Sequence, residues 1–287
     1  MRRLVGLFLP LLALACGLTW GQNEIEALRK RAEAGDLSAQ LQVARAYFLG
    51  IGVAKDEAEG ARWFLITADR GEPQSQRILG LLYEVGGAGL KQDDAQAVAW
   101  FRKAATQGDA IAETRLGAMY EEGRGGLSPD PVQAAVWYRK AAERGATGAQ
   151  IKLGQLYERG LGVAKDEIEA LSWYRKAAAQ GDPMGLNSAA LLCITSQNFE
   201  IRDPNAAVNY ASAAVKAKKD DPVLLSTLAR TYSVEGRFEE AVRTQTAALA
   251  LISADKKAEY QAALSEYQRA WDRSKKDAPK STWPARP

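Results

Sequence analysis

The chain has 287 residues, and its 38 lysines and arginines stand against 35 aspartates and glutamates, a net charge of +3. So even a balance excludes a dedicated nucleic-acid binder, which shows a strong basic excess. There is no histidine and there are two cysteines, Cys16 and Cys193, which excludes Ser–His–Asp and Cys–His catalysis, a cysteine-rich zinc site and a disulfide-stapled fold.

The N-terminus, "MRRLVGLFLPLLALACGLTWGQ", opens with Arg2 and Arg3 and continues as an apolar run from Leu4 to Ala15. This is the shape of a secretory signal peptide, and the run is short of the ~20 residues that span a bilayer. Two cleavage readings compete. One places the cut after Gly21, leaving 1–21 as signal peptide. The other makes Cys16 a lipidated first residue, although Ala13 stands where a lipobox usually has Leu. Removing Arg2 and Arg3 leaves 36 cations against 35 anions, close to neutrality. The expected location is periplasmic or secreted, with membrane anchoring if Cys16 is lipidated. No later segment is long and apolar enough to span a membrane.

Residues 22–36 predict an N-terminal capping helix. A repeat follows. Trp63, Trp100, Trp137 and Trp173 are spaced by 37, 37 and 36 residues, and Tyr47, Tyr83, Tyr120 and Tyr157 by 36, 37 and 37. Gly71, Gly108, Gly145 and Gly181 keep the same beat. Each period reads as two helices. In the first, apolar residues three and four apart form one face, as Leu79, Leu82 and Tyr83 do. A small residue follows the Leu (Ala44, Gly80, Gly117, Gly154), and its recurrence despite the helical cost of glycine implies close approach of a neighbouring helix. A glycine turn ends this helix. Asp56, Asp93, Asp130 or Asp166 then opens the second, with Glu59, Gln96, Gln133 or Glu169 three residues on, as in a capping box. Pro131 suits a first helical position. Asp36, Asp109 and Asp182 are placed to cap the first helices.

The second helix carries two aromatics and two cations, as in "AVWYRKAAERGA" (135–146). The repetition assigns the aromatics to the core. The cations complement the helix C-terminus, and their stems cover apolar surface. A stacking platform for bases is disfavoured, since a core aromatic cannot stack on a ligand.

The pattern in "KLGQLYERGLGVAKDEIEALSWYRKAAAQGD", Lys152 to Asp182, resembles the Sel-one-like repeat family, relatives of the tetratricopeptide repeats. Four repeats fill 37–182. The resemblance implies an all-α fold, a right-handed α-solenoid of stacked antiparallel helix pairs that binds other proteins. Residues 183–254 read as tetratricopeptide-like helical pairs, and Asp221–Leu251 is similar to an ordinary tetratricopeptide repeat. Leu228, Ala229, Tyr232, Gly236, Ala241 and Ala248 hold its signature places, and Gln245 departs where that family has a large apolar residue. Residues 255–273 predict a C-terminal capping helix, and 274–287, rich in Lys, Pro and Ser, a disordered basic tail.

No other constellation points to chemistry. "GGAGLK", Gly86–Lys91, lacks the strand and the Gly–Lys–Ser/Thr of a phosphate loop. The recurring aspartates lie one per repeat, too far apart for paired-carboxylate catalysis. Cys193, in "ALLCIT", reads as a buried small hydrophobe. Some bacterial members of the resembled family are cysteine-rich, with a β-lactam-related activity ascribed to them. This chain lacks their paired cysteines, and that activity is not carried over. No catalytic residue, metal site or cofactor is expected.

Partner contacts are expected on the first helices, which usually line the concave side of a helical-pair solenoid. Positions flanking the packing Leu and Tyr are Arg45, Arg77, Glu84, Glu121, Glu122, Gln155, Glu158, Arg159 and Arg230. The leading expectation is a monomeric, non-catalytic scaffold in the bacterial envelope that binds one or more proteins. A cell-wall or β-lactam-related enzyme or inhibitor, and a tether lipidated on Cys16, are the competing readings.

Overall fold

A computed structural model describes residues 22–277. The export segment, both cleavage readings and Cys16 lie outside them. Fourteen α-helices and no strand occur among the described residues. In chain order they are α1 Gln22–Glu33, α2 Leu37–Leu49, α3 Glu57–Asp69, α4 Pro73–Val85, α5 Asp94–Thr106, α6 Ala110–Glu122, α7 Pro131–Glu143, α8 Thr147–Arg159, α9 Glu167–Ala179, α10 Pro183–Thr195, α11 Pro204–Ala217, α12 Pro222–Val234, α13 Phe238–Leu251 and α14 Lys257–Asp277. α14 runs past the predicted boundary, so residues 274–277 are helical rather than disordered. The rest of the tail lies outside the described residues.

The chain divides into two compact units. One ends at Ala149 and takes in Leu161–Val163, and the other comprises Gln150–Gly160 and continues from Ala164. Within each, successive helices pack side by side as the pairs of an all-α repeat fold: α1 to α7 in the first, α9 to α14 in the second.

The second helix of each pair begins with its cap. Asp93 Oδ1 accepts from the Ala95 and Gln96 amides at 3.0 Å, and Asp130, Asp166 and Asp203 act alike. The expected capping box is half present. The cap's own amide donates to a tyrosine carbonyl of the preceding helix, Asp56 to Tyr47, Asp93 to Tyr83, Asp130 to Tyr120 and Asp166 to Tyr157, at 2.8–2.9 Å. That amide is therefore unavailable to the box's acid, and Glu59 instead accepts from the Trp63 indole at 3.0 Å. The two helices of a pair are tied at their joint by this bond.

The second aromatic of each repeat is the centre of its core. Phe64 and Phe101 are fully enclosed, as are Tyr138 and Tyr174. The preceding tryptophans are also buried, except Trp137, which is half-buried. A Cβ on Gly80 would lie 2.6 Å from the Phe101 ring, on Gly117 2.8 Å from Tyr138, and on Gly154 2.5 Å from Tyr174. The small residue thus admits an aromatic ring of its own repeat. The first repeat exchanges the parts: Ala44 and Phe48 stand in α2, and the glycine moves to Gly60 in α3, where a Cβ would meet the Phe48 amide at 2.8 Å.

A buried polar rung crosses each pair. Gln40 Nε2 donates to the Ala32 carbonyl at 3.0 Å, and its Oε1 accepts from Arg70 at 2.7 Å. Gln76 does the same with Ala68 and Gln107, at 3.0 and 2.8 Å, and Gln150 accepts from Gln180 at 3.0 Å. The third rung holds Glu113 in place of the amide, 1% exposed, with Arg144 Nε at 3.4 Å. In the tetratricopeptide-like part, Gln245 is fully buried and its Nε2 donates to the Tyr260 carbonyl at 3.1 Å. The departure from an apolar residue there ties α13 to α14.

Candidate partner-binding surface

The "RK" pairs, which stand in α5, α7 and α9, have two kinds of destination. The lysine turns back over the tryptophan three residues before it: Lys103 over Trp100 at 3.8 Å, Lys140 over Trp137 at 4.1 Å, Lys176 over Trp173 at 3.5 Å. These are cation–π contacts on exposed ammonium groups. The arginine reaches forward to a tyrosine hydroxyl, Arg102 to Tyr120 and Arg175 to Tyr210, both at 3.2 Å. In a stripe that resembles a ligand-binding one, the arginines therefore tie neighbouring pairs and the lysines cover a tryptophan of their own helix.

Most of the predicted partner residues have internal partners. Arg45 donates to Gln74, the next pair's first helix. Arg77 is held by Asp109 at 2.9 Å, with 15% of its side chain exposed. Glu84, 12% exposed, faces Arg124 at 3.2 Å and Arg115 at 3.8 Å. Glu121 accepts from the Tyr138 hydroxyl at 2.8 Å, and Glu158 from that of Tyr174 at 2.7 Å. Burial first, then these carboxylates, push both phenols up, so each stays a neutral donor. These five are half-buried, and their bonds hold helix to helix. Glu122, Arg159 and Arg230 are exposed and Gln155 is half-buried, and these four remain on accessible first-helix surface.

The acidic stretch from Glu84 to Glu122 is neutralised by a residue the sequence reading missed. Arg124 bridges Asp94 at 2.9 Å, Glu84 at 3.2 Å and Glu122 at 3.3 Å. Hydrogen bonding to Asp94 comes first among the causes that raise its pKa. The signal was there: the other turns carry Ile51, Gly87 or Leu161 at its place.

Cys193 is fully buried, and burial raises its thiol. Among the described residues no group of His, Cys, Asp or Glu is arranged to hold a metal ion, and no helix is long and apolar enough to cross a membrane. Asp36, Asp93, Asp109 and Asp130 cap helices, and Arg77, Glu84 and Arg124 tie helices together.

The profile described as Sel1 repeat matches residues 37–72, 73–109, 110–145 and 147–182. The Sel1 repeat protein from Oxalobacter formigenes has a similar structure, with 26% identity, a TM-score of 0.62, and coverage of 87% of this chain and 88% of that one. The protective antigen c5321 of uropathogenic Escherichia coli, which displays an SLR fold, aligns over 92% of this chain and 68% of its own at 24% identity, with a TM-score of 0.69. HRD3A of Arabidopsis thaliana, an ERAD-associated E3 ubiquitin-protein ligase component, is 31% identical over 65 residues, 22% of this chain. The match spans a tenth of that relative's length, 10%.

Proposed function

The chain belongs to the Sel1 repeat family, whose members serve as protein-interaction scaffolds, and from this premise we propose that it is a non-catalytic adaptor exported to the bacterial cell envelope, holding partner proteins against its first helices. Four consecutive matched repeats carry this reading. Stacked helix pairs of this kind present extended surface for binding. Export rests on Arg2, Arg3 and the apolar run from Leu4 to Ala15. Mass spectrometry of the mature N-terminus separates cleavage after Gly21 from lipidation of Cys16.

The contact set is the accessible one: Glu122, Gln155, Arg159 and Arg230. The test is affinity capture from envelope extract, with the protein run beside a Glu122→Ala, Arg159→Ala, Arg230→Ala variant. These side chains are exposed, so an unchanged circular dichroism spectrum is expected. A partner retained by the parent and lost by the variant supports the reading. Equal retention moves the interface elsewhere, and no retained protein overturns the scaffold assignment.

A further inference from the structure

One joint between pairs is built differently from the rest. Before the first repeat Arg29 reaches the Tyr47 hydroxyl at 3.5 Å, and between the second and third Arg102 reaches Tyr120 at 3.2 Å. Between the first and second repeats the arginine's place is taken by Leu65 and the lysine's by Ile66, 40% and 42% exposed. The turn there also stands off from the helix it covers. A Cβ on Gly125 would lie 2.4 Å from the Asp94 carbonyl oxygen, and on Gly162 2.0 Å from that of Pro131, so those turns close on α5 and α7. Ala88 stands at the place of Gly125 and Gly162 and carries the Cβ that those turns have no room for; its φ is 53°, a left-handed conformation that alanine rarely adopts.

The two departures leave a notch of about 200 Å³, floored by Leu65, Leu79 and Tyr83 and walled by Ala88 and Leu90, with Arg62 at its rim. We propose that this notch docks one apolar side chain of a protein partner that carries a carboxylate beside it. The proposal rests on the protein-binding reading and names a surface separate from the first-helix residues above. Size points to a side chain, since small-molecule sites run to ~300–1,000 Å³. Charge gives the flank. Arg62 is the one ionised residue of the lining. Its bridge to Glu59 is at 3.2 Å with 77% of the arginine side chain exposed, an exposed pair of little strength that an incoming carboxylate can replace. The Tyr83 hydroxyl is a second donor. The corresponding shelf on α1 is lined by Ile25, Val43, Tyr47 and Val53 but also carries Glu26, Arg29, Lys55 and Asp56, so both signs meet there and no single charge selects the flank.

The test uses blocked hexapeptides with a central Leu–Asp, Leu–Lys or Ala–Asp pair, titrated into the protein and followed by nuclear magnetic resonance. The Leu–Asp peptide is expected to shift Leu65, Leu79 and Leu90 and to bind more tightly than the other two. Leu65→Arg, which restores the residue of the other joints, should fill the notch and weaken binding about tenfold or more with no loss of thermal stability. Arg62→Gln, an exposed change, should abolish the preference for Asp over Lys. No shift at the notch, or equal affinity in both variants and parent, overturns the proposal. A partner captured from extract equally by the Leu65→Arg protein would leave the scaffold reading intact while removing the notch from it.

Discussion

At the scale of single residues, the informative positions are those where one repeat breaks the rule of the others. The buried rung is an amide at Gln40, Gln76 and Gln150 and a carboxyl at Glu113. An amide donates to the carbonyl behind it; a carboxylate cannot, and Glu113 Oε2 has no hydrogen-bond partner. Burial pushes the Glu113 carboxyl above the ordinary range, Arg144 and Lys140 pull it back, and Asp109 adds to the rise. The folded state therefore holds this proton more tightly than the unfolded chain. Stability from this group is present at acid pH and lost as pH rises from the ordinary carboxylate value through the folded one. Glu113→Gln should stabilise the protein at neutral pH by about 1 kcal/mol, the worth of one recovered hydrogen bond. Its advantage over the parent should shrink in acid. Urea titrations of both proteins at two pH values check this, and a gap that does not change with pH would refute it. The neighbouring repeat shows what the Tyr138 hydroxyl does. With Phe101 in that place, Glu84 has no phenol to accept from and turns to Arg115 and Arg124. Tyr138→Phe removes this one hydrogen bond to Glu121 and should cost about 1 kcal/mol, read as a lower urea midpoint with an unchanged slope.

At the scale of elements, two glycines in neighbouring first helices predict opposite outcomes. Gly117 in α6 lies under the Tyr138 ring, where a Cβ would sit 2.8 Å from a ring carbon. Gly148 in α8 is helical and a Cβ there meets nothing within 4 Å. Alanine is the better helix former by ~1 kcal/mol in a helix interior. At Gly117 that gain is overridden by a ring that cannot give way in a closed core, a strain of about 1–3 kcal/mol. Gly117→Ala should therefore lower the melting temperature, and Gly148→Ala should raise it slightly, with about 0.5 kcal/mol to gain in the first turn. If both move it the same way, helical propensity rather than ring packing governs the position. The sequence marks these glycines equally as small residues on a helix. What separates them is period: Gly80, Gly117 and Gly154 recur opposite an aromatic, and Gly148 does not recur.

At the scale of the molecule, the helices were legible because the chain states each role four times, so caps, turns and core aromatics could be read by register alone. The binding surface was not, because exposure depends on partners far away in sequence. Arg77 and Arg159 both flank a packing face, yet Arg77 is held by Asp109, and Arg159 is exposed. Cross-repeat pairing leaves no local signature, whereas a break in the repeat does, as Leu65 and Glu113 show. The ends obey a different rule, since a terminal helix packs on one side only. α1 keeps Ile25, Leu28 and Ala32 inward and has Ala27 where the repeats have tryptophan. α14 keeps Tyr260 and Tyr267 inward, the latter against Ala229 and Ala241, and supplies the carbonyl that Gln245 needs. Its other face is largely exposed. Ending the chain at Leu251 would uncover that contact and strand the buried Gln245 amide. Losing two tyrosine side chains from the core is worth about 3 kcal/mol or more, and α13 would then be held on one side only. The truncated protein should lose more helical ellipticity than the removed helix contributes, and should unfold at a lower urea concentration. A loss equal to α14 alone, with the midpoint unmoved, would mean that α13 ends the fold unaided and α14 is an appendage.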